Sequence, residues 1–345
     1  MERDVFFVFL PSFGGGGAEK VVSALSSKFS DSYELYLFVL NDNGPNRVNI
    51  SKNVNLVKLK SKKIYFVPFE LAYYFKKLKP KYLFTTLIYP IAVLSTLIPF
   101  FKSRTKFICR LSNIPSLELN CVRSHIIKYL YVRSLSRYDA VVCQSQDMLL
   151  DASEFTQSSK NLIKINNPVF FNNKDSNTVS YRNRFILIGR LSKQKNINMA
   201  IIAANEAGVR LDIYGQGECY NELNDLINNL GNDDIKLCGF SSNIHTEITS
   251  SLAVLLTSEY EGFPNVLIES ISLGVPVVAR NCPGGINEIV NSNNGIIFET
   301  KDQLVSILKK FQSDNFNSDF MKRDIQSRFS LERIVNNYIE LFRSL

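Results

Sequence analysis

The chain has 345 residues, 45% hydrophobic and 21% charged, which excludes a disordered or fibrous protein and suggests about two domains. Six cysteines with no C-x-x-C pair exclude a disulfide scaffold and a structural zinc site, and two histidines leave little for a metal centre. The net charge of +8 is one-sided: residues 1–172 hold 23 Lys and Arg against 12 Asp and Glu, the rest 17 against 20, so the first half expects an anionic partner such as nucleic acid, acidic lipid or a phosphorylated substrate.

The first apolar run, Val5–Leu10, is too short for a secretory segment and follows an acidic flank, so it reads as a first strand in a cytoplasmic protein. Four glycines follow, Gly14 to Gly17, and then a helical pattern over Ala18–Phe29. A glycine loop entering a helix favours a phosphate, although no G-K-[ST] follows to make a P-loop. Strands are predicted at Tyr33–Leu40 and Asn55–Leu59. The segment Ile64–Tyr82 mixes aromatic residues with Lys76, Lys77, Lys79 and Lys81, a mixture suited to an anionic lipid surface. Tyr82–Phe101 is 20 residues without a charge, long enough to span a bilayer. The surrounding alternation instead predicts a buried strand, Tyr82–Leu87, and a helix beginning near Pro90. Strands at Lys106–Cys109, Ala140–Cys143 and Leu162–Ile165, with a helix over Val122–Ser136, complete this half.

The asparagine-rich stretch Asn166–Asn183 reads as a linker. The alternation then restarts, with strands at Phe185–Ile188, Leu211–Tyr214, Ile235–Leu237, Ala253–Leu256, Val275–Ala279 and Gly295–Phe298. Helices are predicted at Asn196–Ala207, Cys219–Asn229, Pro264–Leu273, Gln303–Phe311 and, last, Leu331–Leu345. Such alternation implies parallel sheets covered on both faces, and ligands outside the carboxyl ends of their strands. The expected architecture is α/β, two doubly wound domains facing a cleft. The N-terminal domain is placed at 1–168, a linker at 169–184, the C-terminal domain at 185–325 and a terminal helix at 326–345.

Two motifs of the second half carry chemistry. Gly189-Arg190-Leu191-Ser192-Lys193-Gln194-Lys195-Asn196 joins a strand to a helix, which sets Arg190 and Lys195 at a strand's carboxyl end, where two cations suit a diphosphate. Ser258-Glu259-Tyr260-Glu261-Gly262-Phe263-Pro264-Asn265-Val266 places Glu261 in a Gly-Pro loop, and Glu269 lies eight positions on in an apolar helix. A carboxylate there needs a partner, for which vicinal ribose hydroxyls qualify. Amides from Gly262 to Asn265, at a helix start, suit a sugar or phosphate.

Glu261-x7-Glu269, together with Gly-Arg-Leu-x-x-x-Lys-Asn upstream, resembles the retaining GT-B glycosyltransferases of family 4, the glycosyl transferases group 1. Pro283-Gly284-Gly285-Ile286-Asn287-Glu288-Ile289, Tyr214-Gly215-Gln216-Gly217-Glu218 and Gly16-Gly17-Ala18-Glu19-Lys20 are similar to further motifs of that family, especially as worded in bacterial surface-polysaccharide transferases. The resemblance implies the GT-B fold, with a nucleotide sugar, usually UDP-linked, in the C-terminal domain. Arg190 and Lys195 would neutralise the diphosphate, Glu269 hold the ribose and Glu261 contact the donor sugar. Gly16, Gly17, Gly215, Gly262, Phe263, Pro264, Asn265 and Val266 would line the donor, with Phe240 and Ser241 near the base.

The same resemblance implies retention and an acceptor glycan on polyprenyl diphosphate, at the inner face of the cytoplasmic membrane. With no D-x-D sequence, no metal or other cofactor is expected. Many members carry a histidine on the N-terminal domain where this chain reads Cys109-Arg110-Leu111-Ser112-Asn113, so Arg110 and Asn113 are assigned to the acceptor side. A sugar-nucleotide epimerase of the same fold lacks acid and base groups here. A nucleic-acid binder is disfavoured because the motifs lie in the acidic half. A catalytically inactive relative is the remaining alternative.

Overall fold

The computed structural model describes residues 3–156, 160–170, 183–241 and 243–345. Most of the linker predicted at 169–184 lies outside the described residues. The chain divides into two compact units, Met1–Asn167 with Glu332–Leu345, and Pro168–Leu331.

The first unit contains β1 (Val5–Phe9), β2 (Glu34–Val39), β3 (Asn55–Lys58), β4 (Tyr82–Thr86), β5 (Lys106–Arg110), β6 (Ala140–Cys143) and β7 (Leu162–Lys164). They form one parallel sheet in the order β3-β2-β1-β4-β5-β6-β7. The central strands are apolar at nearly every position because both faces are covered. Phe7, Phe9, Leu83, Phe107, Cys109 and Val141 share a core with Val67, Leu71, Ile91, Ile127 and Tyr131, which come from the helices Val67–Leu78, Ile88–Leu94 and His125–Leu135. The uncharged stretch from Tyr82 is thus a strand and short helices. No described helix is long and apolar enough to cross a membrane.

On the opposite face Phe6, Tyr82 and Phe84 pack against Phe29 of the helix Gly17–Phe29 and against Tyr338 and Phe342. The Tyr82 hydroxyl donates to the Phe342 carbonyl at 2.8 Å. Tyr338 and Phe342 belong to the last helix, Leu331–Ser344. The terminal helix expected over 326–345 therefore divides. Residues up to Phe329 end a separate helix, Ser318–Phe329, and only the part from Leu331 covers the first sheet.

The second unit contains β8 (Phe185–Ile188), β9 (Leu211–Tyr214), β10 (Ile235–Gly239), β11 (Val254–Leu256), β12 (Val277–Arg280) and β13 (Gly295–Phe298). They form a parallel sheet in the order β10-β9-β8-β11-β12-β13. The helix Lys301–Lys310 starts at a reciprocal cap between Thr300 and Gln303, and Ser318–Phe329 starts where Asn317 accepts from the Phe320 amide at 2.9 Å. Val169 pairs with the end of that helix, its amide donating to the Phe329 carbonyl at 2.8 Å.

Strand order reverses between β1 and β4 in one sheet and between β8 and β11 in the other. A doubly wound sheet opens a crevice at the carboxyl ends of its strands at such a reversal. The loops leaving β1, β8 and β11 carry the motifs singled out above.

Candidate active site

In the second unit the loop after β8 and the loop after β11 lock together. The Glu259 amide donates to the Gln194 carbonyl at 2.8 Å, and the Gln194 side chain donates to the Tyr260 carbonyl at 2.8 Å. The Thr257 hydroxyl donates to the Lys195 carbonyl at 3.0 Å. These contacts bring the Lys195 ammonium to 2.5 Å from Glu261 Oε1, and the Ser258 hydroxyl donates to the same oxygen at 2.6 Å. Glu261 is buried and Lys195 mostly so. Asn196 and Arg280 hold Glu259 at the rim, at 2.5 and 2.6 Å. Arg190 is exposed on the same loop.

Close backbone packing sets these loops. The Gly189 amide donates to Tyr214 and the Gly215 amide to Gly239, at 3.0 and 2.8 Å. Gly215 has φ +152°, and a Cβ there would stand 1.8 Å from the Gly189 carbonyl oxygen. At Gly284, φ +133°, a Cβ would stand 2.2 Å from the Glu261 carbonyl oxygen, and the Glu261 amide donates to the Pro283 carbonyl at 2.9 Å. The Pro-Gly-Gly segment is therefore the floor under Glu261.

The helix Asn265–Ser272 begins directly after Pro264, so its first-turn amides open toward the Glu261 loop. Pro264 itself has no amide to offer, which corrects its assignment as a donor contact of that kind. The Phe263 ring is buried against Phe329, centroids 5.5 Å apart, which leaves its backbone to the loop. Asn265, Val266 and Glu269 are half-buried along the helix. Phe240 is 74% exposed just after β10, with Ser241 beside it accepting from the Asn243 amide. Burial, reinforced by nearby Glu261, pushes the Cys282 thiol up to about 12, so it stays protonated and is no rival nucleophile.

In the first unit Gly14 to Gly17 lead into the helix Gly17–Phe29. Sequence reading misses Asn46, whose side-chain amide donates to the Gly14 and Gly16 carbonyls and pins the loop. Nothing in the sequence signals it, because it lies about 30 residues away in an unrelated turn. The Glu19 carboxylate rests against Gly14 and Gly16, where a Cβ would meet it.

Arg110, assigned above to the acceptor side, is buried. Only 2% exposed, it donates to Asn167 Oδ1 at 2.5 Å and to the Leu111 carbonyl at 3.3 Å, and it lies beside the Tyr338 hydroxyl. It fastens the last helix to the end of β5. Asn113 is half-buried, its Oδ1 accepting from the Ile114 amide.

Next to them Glu118 accepts from the Ser112 hydroxyl at 2.8 Å. Burial of its carboxyl raises its pKa to about 7, against the opposing pull of Ser112 and the Arg110 charge. A pKa raised on folding stabilises the fold fully below about pH 4.5 and loses that contribution as the pH passes 7. Urea unfolding should therefore show stability declining across that window and the decline flattening in Glu118→Gln. An identical pH slope in the variant would remove Glu118 as its source.

Two parallel sheets, each reversing at the loops that carry the glycines and charges described above, define a GT-B protein. Residues 170–327, nearly the whole second unit, match the family described as glycosyl transferases group 1. Across 321 residues the chain is 27% identical to the N-acetylgalactosamine-N,N'-diacetylbacillosaminyl-diphospho-undecaprenol 4-alpha-N-acetylgalactosaminyltransferase of Campylobacter jejuni, covering 86% of each. It is 27% identical over 301 residues to the amylovoran biosynthesis glycosyltransferase AmsD of Erwinia amylovora, covering 84% of each. The crystal structure of Anabaena Alr3699/HepE in complex with UDP-glucose has the same fold, with a TM-score of 0.81 at 19% identity over 99% of this chain and 100% of that one. Residues 170–327 thus match that family, and the chain is a glycosyltransferase of GT-B fold.

Proposed function

We propose that the chain is a retaining, metal-independent transferase that moves a hexose or N-acetylhexosamine from a UDP-sugar to a glycan on polyprenyl diphosphate, in surface-polysaccharide synthesis at the inner face of the cytoplasmic membrane. The observation that carries this reading is the Lys195–Glu261 pair at 2.5 Å, where β8 and β11 meet, with Arg190 exposed on the same loop. Breaking a glycosyl–phosphate bond puts negative charge on the diphosphate and positive charge on the sugar. Preorganised cations lower that barrier, and a buried carboxylate nearby suits the sugar side. An arriving diphosphate would compete with Glu261 for Lys195, freeing the carboxylate to meet the sugar. Glu269, one helix further in, takes the ribose hydroxyls. The acceptor class is supported by the Campylobacter jejuni relative, whose name gives a diphospho-undecaprenol-linked substrate. The choice of UDP is supported by the UDP-glucose complex of the Anabaena protein.

A panel of UDP- and GDP-sugars, with and without a polyprenyl-diphosphate glycan, tests the reading by released nucleotide. Arg190→Ala and Glu269→Ala should each lower release about 100-fold or more, in line with the loss of one preorganised charge or a ribose anchor. A chelator should leave the rate unchanged, and the product anomer should match the donor. Full activity in both variants overturns the site, and inversion overturns retention.

A further inference from the structure

One surface of the first unit is at odds with an ordinary soluble domain. The helix Val67–Leu78 buries Val67, Leu71 and Phe75 in the core, yet its outer side is also apolar. Phe69 is 77% and Tyr73 60% exposed, and Tyr65 and Phe66 just before the helix are more than half exposed. At 3.6 residues per turn Phe69, Tyr73, Lys76 and Lys77 fall within roughly 100° of arc, opposite Leu71 and Phe75. The exposed aromatics and the lysines therefore form one stripe. Phe100, 77% exposed, adjoins Phe101, whose ring packs on Phe75 at 4.6 Å. On the same face of the sheet the helix His125–Leu135 exposes Ile126 and Tyr129.

The charge on this face is uniformly positive. Between residues 59 and 80 the single carboxylate is Glu70, and it is occupied internally by the Lys60 and Ser61 amides and the Ser61 hydroxyl. Lys62, Lys63, Lys76 and Lys77 have no carboxylate partner among the described residues.

We infer that this face docks on an anionic lipid bilayer, with Phe66, Phe69 and Tyr73 seated among the headgroups and the four lysines against the lipid charge. Aromatic rings rimmed by lysines match the interfacial region of a membrane, where apolar surface and cations are both satisfied. Lipid is chosen as the occupant because of this charge pattern and because the acceptor proposed above is lipid-linked, and to that extent the docking face rests on that reading.

The chain contains no tryptophan, so one introduced residue gives a signal without background. Phe69→Trp is compared with Val48→Trp. Val48 is 87% exposed in the turn Pro45–Asn49, which packs on the helix Gly17–Phe29 of the opposite sheet face. With phosphatidylglycerol vesicles the emission of Phe69→Trp should move to the blue and resist an aqueous quencher, while Val48→Trp stays unchanged. Neutralising Lys62, Lys63, Lys76 and Lys77 to Gln should lower vesicle affinity about fivefold per lysine and remove its salt dependence. Equal shifts at both positions, no shift with vesicles, or a shift that follows protein concentration without vesicles (a second copy on the face) would overturn the docking face. Nucleotide release by the unaltered protein, with the donor panel and the polyprenyl-diphosphate glycan but no vesicles, is measured in parallel. Its absence strikes the transferase reading alone, and its presence with no vesicle response strikes the docking face alone.

Discussion

Lys195→Met is expected to lower kcat by about 10²–10³, the scale on which one preorganised charge acts on a developing anion. The same change should reduce stability by about 3 kcal/mol, the lower end for a broken buried pair, since the lysine side chain is 20% exposed. The cause is Glu261, which would stay buried with the Ser258 hydroxyl as its remaining short contact. Adding Glu261→Gln removes the stranded charge. The double variant should thus recover much of the stability and none of the rate. Urea unfolding reads the first quantity and nucleotide release the second. A Lys195→Met protein with normal turnover would mean that this ammonium is structural and the diphosphate is met elsewhere.

Gly215→Ala is expected to cost about 3 kcal/mol or more, because strain at φ +152° is joined by a Cβ placed 1.8 Å from the Gly189 carbonyl oxygen. Relief requires the loop after β8 to move, and that loop carries Arg190 and Lys195, so donor affinity should fall with stability. Gly208→Ala serves as the comparison. Its φ of +68° is also left-handed, but a Cβ there meets nothing within 4 Å, so about 1 kcal/mol and unchanged kinetics are expected. Equal effects at the two glycines would show that backbone strain alone, not loop packing, sets the cost. Denaturation midpoints and KM for the donor separate the cases.

The strands were readable because each is a short run rich in apolar residues, fully buried in inner strands such as β4 and β6, and β6 and β13 match their expected bounds. Helix ends shifted by one to three residues, where caps decide: Thr300 and Gln303 start a helix at Lys301, two residues before its apolar pattern begins, and Ser124 caps one at His125 rather than Val122. Ser318–Phe329 went unseen because its buried residues, Met321, Ile325 and Phe329, are few among charges. At the site, Lys195 and Glu261 were legible as types at the right loops, but their pairing was not, since it arises from two loops 66 residues apart. The partners of Arg110 were hidden for a related reason. An arginine after a strand reads as exposed, and only the fold reveals that Asn167 and Tyr338 cover it.

The return of Leu331–Ser344 to the first sheet makes the second unit an insertion within the first. During synthesis the insert is complete before its host, which must wait with Phe6, Phe29 and Phe84 uncovered until Tyr338 and Phe342 have left the ribosome. Cutting the gene after residue 167 would therefore yield an aromatic face without its cover. A stable first unit made alone would need residues 332–345 joined back to it, whereas 168–331 can be excised as one continuous piece.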